Sequence, residues 1–198
     1  MNAGSEILYR AVFGALWVIY FGVRLFFQGK VKSAGRGYVL QNEQQEKRYF
    51  RLFALAYVLL PLYFLPSWVD FTHLGFPVWL RWAGAGLTVL GILLFAWAHQ
   101  ALGVNWTAVL ALSEEQELVT SGPYRWVRHP MYTAFLVIGF GFWFLSANGL
   151  VGLIYFSTLL LMVWTRLPAE EEMMVERFGE RYRAYQKTTG SLLPRFKK

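Results

Sequence analysis

Glu117-Leu118-Val119-Thr120-Ser121-Gly122-Pro123-Tyr124-Arg125-Trp126-Val127-Arg128-His129-Pro130-Met131-Tyr132 is the stretch around which the chain is organised. It packs two arginines, a histidine, two tyrosines and a Gly-Pro turn between long apolar segments. An uncharged run from Trp82 to Ser113 precedes it, and another from Met131 to Thr165 follows. Ionisable groups at the edge of a bilayer are costly unless they face protein, water or a ligand, so their presence there points to function. Polar chemistry pinned between membrane-length segments predicts an all-α fold: a polytopic transmembrane bundle of about five spans with a C-terminal amphipathic helix.

Composition agrees with that reading. Of 198 residues, 56% are hydrophobic and only 16% charged, whereas a soluble domain carries about a quarter charged residues. One integral membrane domain, residues 1–198, accounts for the length: three N-terminal spans over 1–101 and a binding core over 102–198. Cysteine is absent, which excludes disulfides, thiolate nucleophiles and zinc–thiolate sites. No Asp, Glu and His cluster has metal spacing, so no metal is expected. The net charge of +7 is spread among apolar spans, so it predicts contact with anionic lipid rather than nucleic acid. A cleavable signal peptide and a CaaX box are not expected either.

Ile7–Phe27 reads as the first span, with Arg10 and Arg24 snorkelling from near its ends. Gln28–Arg48 reads as a polar, basic loop. Leu52–Val69 is a second span, uncharged but punctuated by Pro61 and Pro66. After a short connection at Asp70–Pro77, Val78–Ala98 forms the third, and Gly84, Gly86 and Gly91 give it a small-residue face for close helix approach. His99 and His73 read as structural. Met131–Thr165 is too long for one span, and Asn148-Gly149 divides it into a tight helical hairpin. From Ala169 to Lys187, Met174, Phe178, Tyr182 and Tyr185 recur every three or four residues among charges, the pattern of an amphipathic helix. Basic residues concentrate in the first loop and after Arg166. The positive-inside rule therefore places the N-terminus outside and the Arg128-His129 stretch in the cytosol, which in a bacterium means the inner membrane.

Several side chains carry candidate chemistry. His129 and Tyr132 stand at the start of a helix, with Pro130 suited to its first turn and Met131 beside it. Such a helix start attracts a carboxylate. Leu118–Gly122 reads as irregular loop with free backbone groups. Arg166 and Glu170 share a helix face if the helix continues across Pro168; alternatively Pro168 starts a new helix, or the two form a plain juxtamembrane ion pair. Arg128 is suited to pairing with these acids or with a bound acceptor, and Glu171 is open between a binding and a solvated role.

Leu118-Val119-Thr120-Ser121-Gly122-Pro123-Tyr124, Arg128-His129-Pro130-Met131-Tyr132, Arg166, Glu170-Glu171, Phe178-Gly179, Tyr182 and Tyr185, in that order, resemble the isoprenylcysteine carboxyl methyltransferase family. That family is related to the phospholipid N-methyltransferases. The resemblance covers roughly the C-terminal half and implies binding of S-adenosylmethionine, with S-adenosylhomocysteine as product. It implies cofactor contacts at Gln116, Glu117, Leu118, Val119, Tyr124, His129, Pro130, Met131, Tyr132, Glu170 and Glu171, and catalytic roles for Arg166 and Arg128. The implied acceptor is a membrane lipid or a lipidated small molecule or peptide, most simply through a carboxylate. A bidentate guanidinium contact suits that group, and a carboxylate needs no general base. Alternatives are lipid N-methylation, a non-enzymatic lipid- or cofactor-binding protein, and a sterol-reductase-like enzyme, since membrane sterol reductases carry a related His-Pro-x-Tyr. Acceptor identity and oligomeric state are not legible in the chain.

Overall fold

The computed structural model describes residues 3–33, 39–40, 51, 63–64, 69–106, 111–112 and 116–195. Five α-helices lie among them: α1 Ala3–Ser33, α2 Val78–Leu102, α3 Pro130–Ser146, α4 Gly149–Phe178 and α5 Glu180–Thr188. Val39–Leu40 (β1) and Ala111–Leu112 (β2) add a two-residue antiparallel ladder with Val39 opposite Leu112. Gly4–Val31, Val78–Asn105 and Gly149–Phe178 are each long and apolar enough to cross a membrane, and Pro130–Ser146 is a shorter apolar helix. The expected second span, Leu52–Val69, lies largely outside the described residues.

The bundle is organised on the α2–α3 contact. A Cβ built on Gly84 would fall 2.5 Å from the Leu145 nitrogen, and one on Gly141 would fall 2.6 Å from the Thr88 nitrogen. The two backbones therefore approach as closely as only glycine permits, the usual device of membrane helices that cannot rely on a hydrophobic drive. Gly84 and Gly91 form the expected small-residue face, while Gly86 points to open space. α1 packs across this pair through Phe13 on Phe142, with ring centroids 4.5 Å apart, and Tyr20 on Phe95 at 5.3 Å. α4 folds back on α3, where Tyr155 lies over Gly139 and its hydroxyl donates to the Phe135 carbonyl at 3.1 Å.

The hairpin turn falls where Asn148-Gly149 predicts it. Ala147 closes α3 in the left-handed region at φ 48°, its N–H returning to the Trp143 carbonyl. Asn148 then caps α4, its side-chain oxygen accepting the Val151 N–H at 3.0 Å. The same side chain donates to the Val69 carbonyl at 2.7 Å and accepts from the Thr72 hydroxyl at 2.9 Å. The 69–77 connection and the hairpin turn thus share one end of the bundle, as alternating spans require.

Three expectations need correction. Gln28–Ser33 is the last part of α1 rather than loop. The second hairpin arm does not stop near Thr165, because α4 runs unbroken to Phe178 with Pro168 inside it. Pro168 removes one intrahelical donor, yet the flanking turns hold. The amphipathic segment Ala169–Lys187 is consequently two pieces. Its first half extends α4, and Gly179 at φ 56° turns the chain into the separate helix α5.

Candidate active site

The unequal arms of the hairpin build the site. α3 has 17 residues and α4 has 30, so at about 1.5 Å per residue the returning helix overshoots the start of α3 by several turns. That overshoot carries Glu170 and Glu171 past the N-terminus of α3, where Arg128 and His129 wait. His129 occupies the N-cap position with Pro130 at N1, but its ring makes no capping bond. It turns to the carboxylates instead: Nε2 lies 2.7 Å from Glu171 Oε1, and Nδ1 lies 3.7 Å from Glu170 Oε1.

The two neighbouring glutamates differ sharply. Glu171 receives Arg128 in a fork, Nε at 2.8 Å and Nη2 at 3.1 Å, and also the Tyr182 hydroxyl at 3.2 Å and Gln186 Nε2 at 2.5 Å. Among the described residues, Glu170 accepts from the Tyr132 hydroxyl at 2.9 Å and faces His129 Nδ1 at 3.7 Å. Its side chain remains 33% exposed, against 18% for Glu171.

Electrostatics follow from this crowding. Burial opposes the His129 cation, but hydrogen bonds and charge from Glu170 and Glu171 outweigh it, raising its pKa to about 9. The ring is therefore cationic at neutral pH, and both nitrogens carry protons. Burial, reinforced by Glu170 and then Tyr185, pushes the Tyr124 phenol up. Burial together with Glu171 does the same to Tyr182.

Backbone bonds fasten the surroundings. The Arg128 N–H donates to the Gly190 carbonyl at 2.8 Å, the His129 N–H to Ser191 at 3.1 Å, and the Thr133 hydroxyl to Leu192 at 2.7 Å. Arg128 Nη1 also reaches the Thr189 carbonyl. A Cβ on Gly190 would fall 1.9 Å from the Leu193 carbonyl oxygen, so the strap turns there only with glycine. Upstream, Gly122 at φ 59° brings the chain against Trp97 and Ala101 of α2. The following 3₁₀ turn buries Tyr124, whose carbonyl accepts the Tyr185 hydroxyl.

The structure therefore gathers Arg128, His129, Tyr132, Glu170 and Glu171 into one cluster, with Tyr124 buried beside α5 and Pro130 and Met131 in the first turn of α3. Of the two partners open to Arg128 in the sequence, its fork takes the acid, Glu171. Arg166 lies one turn before Glu170 on unbroken helix. Gln116 and Glu117 reach the 3₁₀ turn Gly103–Asn105 that follows α2, where the Gln116 side chain donates to the Asn105 carbonyl at 3.2 Å and the Glu117 N–H to Asn105 Oδ1 at 3.1 Å. Leu118 and Val119 continue that segment, half-buried. Sequence reasoning missed Asn105, Gln186 and the Thr189–Leu192 strap; the Gly190 turn is the one local signal for the last.

Fold and site define a helical membrane protein with a buried polar cluster at the open end of a hairpin. A model of the "Isoprenylcysteine carboxyl methyltransferase (ICMT) family" matches residues 84–176. The protein-S-isoprenylcysteine O-methyltransferase of Rattus norvegicus is 32% identical over 139 residues, covering 66% of this chain and 49% of that one. The methanethiol S-methyltransferase of Pseudomonas deceptionensis is 46% identical over 74 residues, covering 36% of this chain and 26% of its own. The solved structure of the eukaryotic intramembrane Ras methyltransferase ICMT superposes with a TM-score of 0.56 at 27% identity, covering 79% of this chain and 54% of that chain. Over residues 84–176 the chain matches the isoprenylcysteine carboxyl methyltransferase family, and it is an integral membrane protein. It spans about half the length of the mammalian relatives it matches.

Proposed function

We propose that the protein transfers a methyl group from S-adenosylmethionine to the carboxylate of a lipid-borne acceptor, at the cytosolic face of the membrane. The observation that carries this reading is Glu170: a carboxylate aligned by Tyr132 and His129 yet one-third exposed. That arrangement fits a ligand bearing an ammonium and hydroxyls. Glu170 would hold the ammonium or a ribose hydroxyl, and the N-terminus of α3 at Pro130 and Met131 would face the donor's carboxylate. Tyr124 and the Gln116–Val119 segment would flank its base. When bound, S-adenosylmethionine supplies a methyl carbon already made electrophilic by the sulfonium. The chain's own task is then grip and alignment, since holding the reactants in near-attack geometry supplies much of the acceleration. Arg166, one turn from Glu170, would orient the acceptor carboxylate. No base is needed, because that acceptor is ionised at neutral pH.

A lipid-borne acceptor is favoured because the cluster caps apolar helices and because relatives are named for S-isoprenylcysteine. The 46% identity to a methanethiol S-methyltransferase favours a second reading, a small thiol acceptor. Reconstituted protein, labelled S-adenosylmethionine and three acceptors decide between them: an S-farnesyl cysteine, methanethiol and phosphatidylethanolamine. A carboxylate acceptor yields an ester whose label is released by alkali, whereas a thioether or N-methyl product keeps it. Arg166→Lys keeps the charge but loses the fork, so turnover on the lipid acceptor should fall by about tenfold or more while donor affinity holds. Unchanged turnover removes Arg166 from the acceptor site.

A further inference from the structure

Five protein donors converge on the two oxygens of Glu171: Arg128 twice, His129, Tyr182 and Gln186. A carboxylate offers about four lone-pair directions, so Glu171 is saturated by the protein itself. Two of these donors, Tyr182 and Gln186, come from α5, which lies beyond the segment 84–176 matched to the family. Among the described residues, the other polar ties of α5 to the bundle are to backbone carbonyls: the Tyr185 hydroxyl ends on the Tyr124 carbonyl and Arg128 Nη1 reaches the Gln186 carbonyl at 3.4 Å, while Glu180, Arg181, Arg183 and Lys187 are exposed. The helix that carries Gln186 then continues directly into the Thr189–Leu192 strap, which pegs the backbone of Arg128 and His129.

We propose that Glu171 is a positioning residue rather than a ligand contact, and that Gln186 and Tyr182 position the site by acting through it. Held from both sides, Glu171 fixes the His129 ring by its Nε2 proton. The ring's other nitrogen is thereby aimed at Glu170, the member of the pair left to meet a ligand. The division between two adjacent glutamates is made by α5. This rests on the reading of the site as a donor site, and it names which residues touch the donor and which do not.

The test uses the full chain in detergent or nanodiscs, with S-adenosylhomocysteine as the titrant. Gln186→Met keeps the side chain's length but removes its donor, and should weaken binding about fivefold. Gln186→Glu has the same shape but carries a donor only when protonated, which the adjacent carboxylate favours. Its affinity should be low at pH 8 and recover towards that of the wild type at pH 5.5, while Gln186→Met shows no such recovery. A merely structural role would not produce this pH-dependent rescue. Tyr182→Phe, which loses only a hydroxyl, should weaken binding about threefold to fivefold and serves if the first variants do not fold. Wild-type affinity in Gln186→Met and Tyr182→Phe, or parallel pH profiles for the two Gln186 variants, overturns the proposal. Failure of the wild-type chain itself to bind S-adenosylhomocysteine overturns the donor-site reading beneath it.

Discussion

Each end of the bundle holds an arginine forked onto a glutamate, and the two pairs are used differently. At the hairpin-turn end, Arg81 is 2% exposed, reaches both oxygens of Glu6 from α1, donates to the Leu145 carbonyl at 3.0 Å and lies 3.6 Å over the Tyr9 ring. Arg10 pairs with Asp70 beside it. At the opposite end Arg128 and Glu171 make a similar fork, but next to it Glu170 keeps a third of its surface open. The first pair joins α1, α2 and the end of α3 and closes on itself. The second is the backing for a neighbouring group that stays accessible. A buried ion pair by its geometry alone thus says little about role; what its neighbour is left free to do says more.

That contrast is best broken at Arg81. Arg81→Met strands Glu6 against a desolvated bundle, and removing one partner of a buried pair costs ~3–5 kcal/mol. The unfolding midpoint in detergent should drop strongly, while the folded fraction binds S-adenosylhomocysteine as before. Weaker binding per folded molecule would mean that the two ends are coupled.

Glu170→Gln probes the other end with the opposite expectation. Losing a charge-assisted contact should cost roughly 1.5–3 kcal/mol of donor affinity, about tenfold to a hundredfold, with the unfolding midpoint little changed. If the midpoint falls and affinity holds, Glu170 is structural like Glu6.

The most gradual effect sharpens the comparison through pH. His129 is raised in the fold to about 9 from an ordinary value of 6.5. Its contribution is therefore complete below about pH 6.5 and is lost as pH rises through about 9, at no more than ~1.4 kcal/mol per pH unit. Unfolding midpoints measured from pH 6 to 10 should decline over that window, and His129→Gln should flatten the decline. A wild-type profile no steeper than that of the variant would show that the imidazole does not hold its proton there.

How much of this was legible beforehand depended on range along the chain. Apolar run length marks the spans, Gly84 and Gly91 mark the face that meets α3, and Asn148-Gly149 marks the turn, because each is a property of neighbouring residues. The cluster of Arg128, His129, Tyr132 and Glu170-Glu171 was named from its motif, though not arranged. Whether α4 survives Pro168 was undecidable locally, since one missing hydrogen bond is outweighed or not by packing elsewhere.

By itself the sequence determined the apolar spans, the hairpin and the identity of the polar residues at its open end, all written in hydropathy and in three- to four-residue spacing. Tertiary structure alone decided that Arg81 meets Glu6 across 75 positions, that a strap from Thr189 to Leu192 pegs Arg128 and His129, and that Glu171 is consumed while Glu170 is not. Adjacent helical residues point about 100° apart, and which of the two faces five donors depends on where distant segments pack, a matter no local pattern encodes.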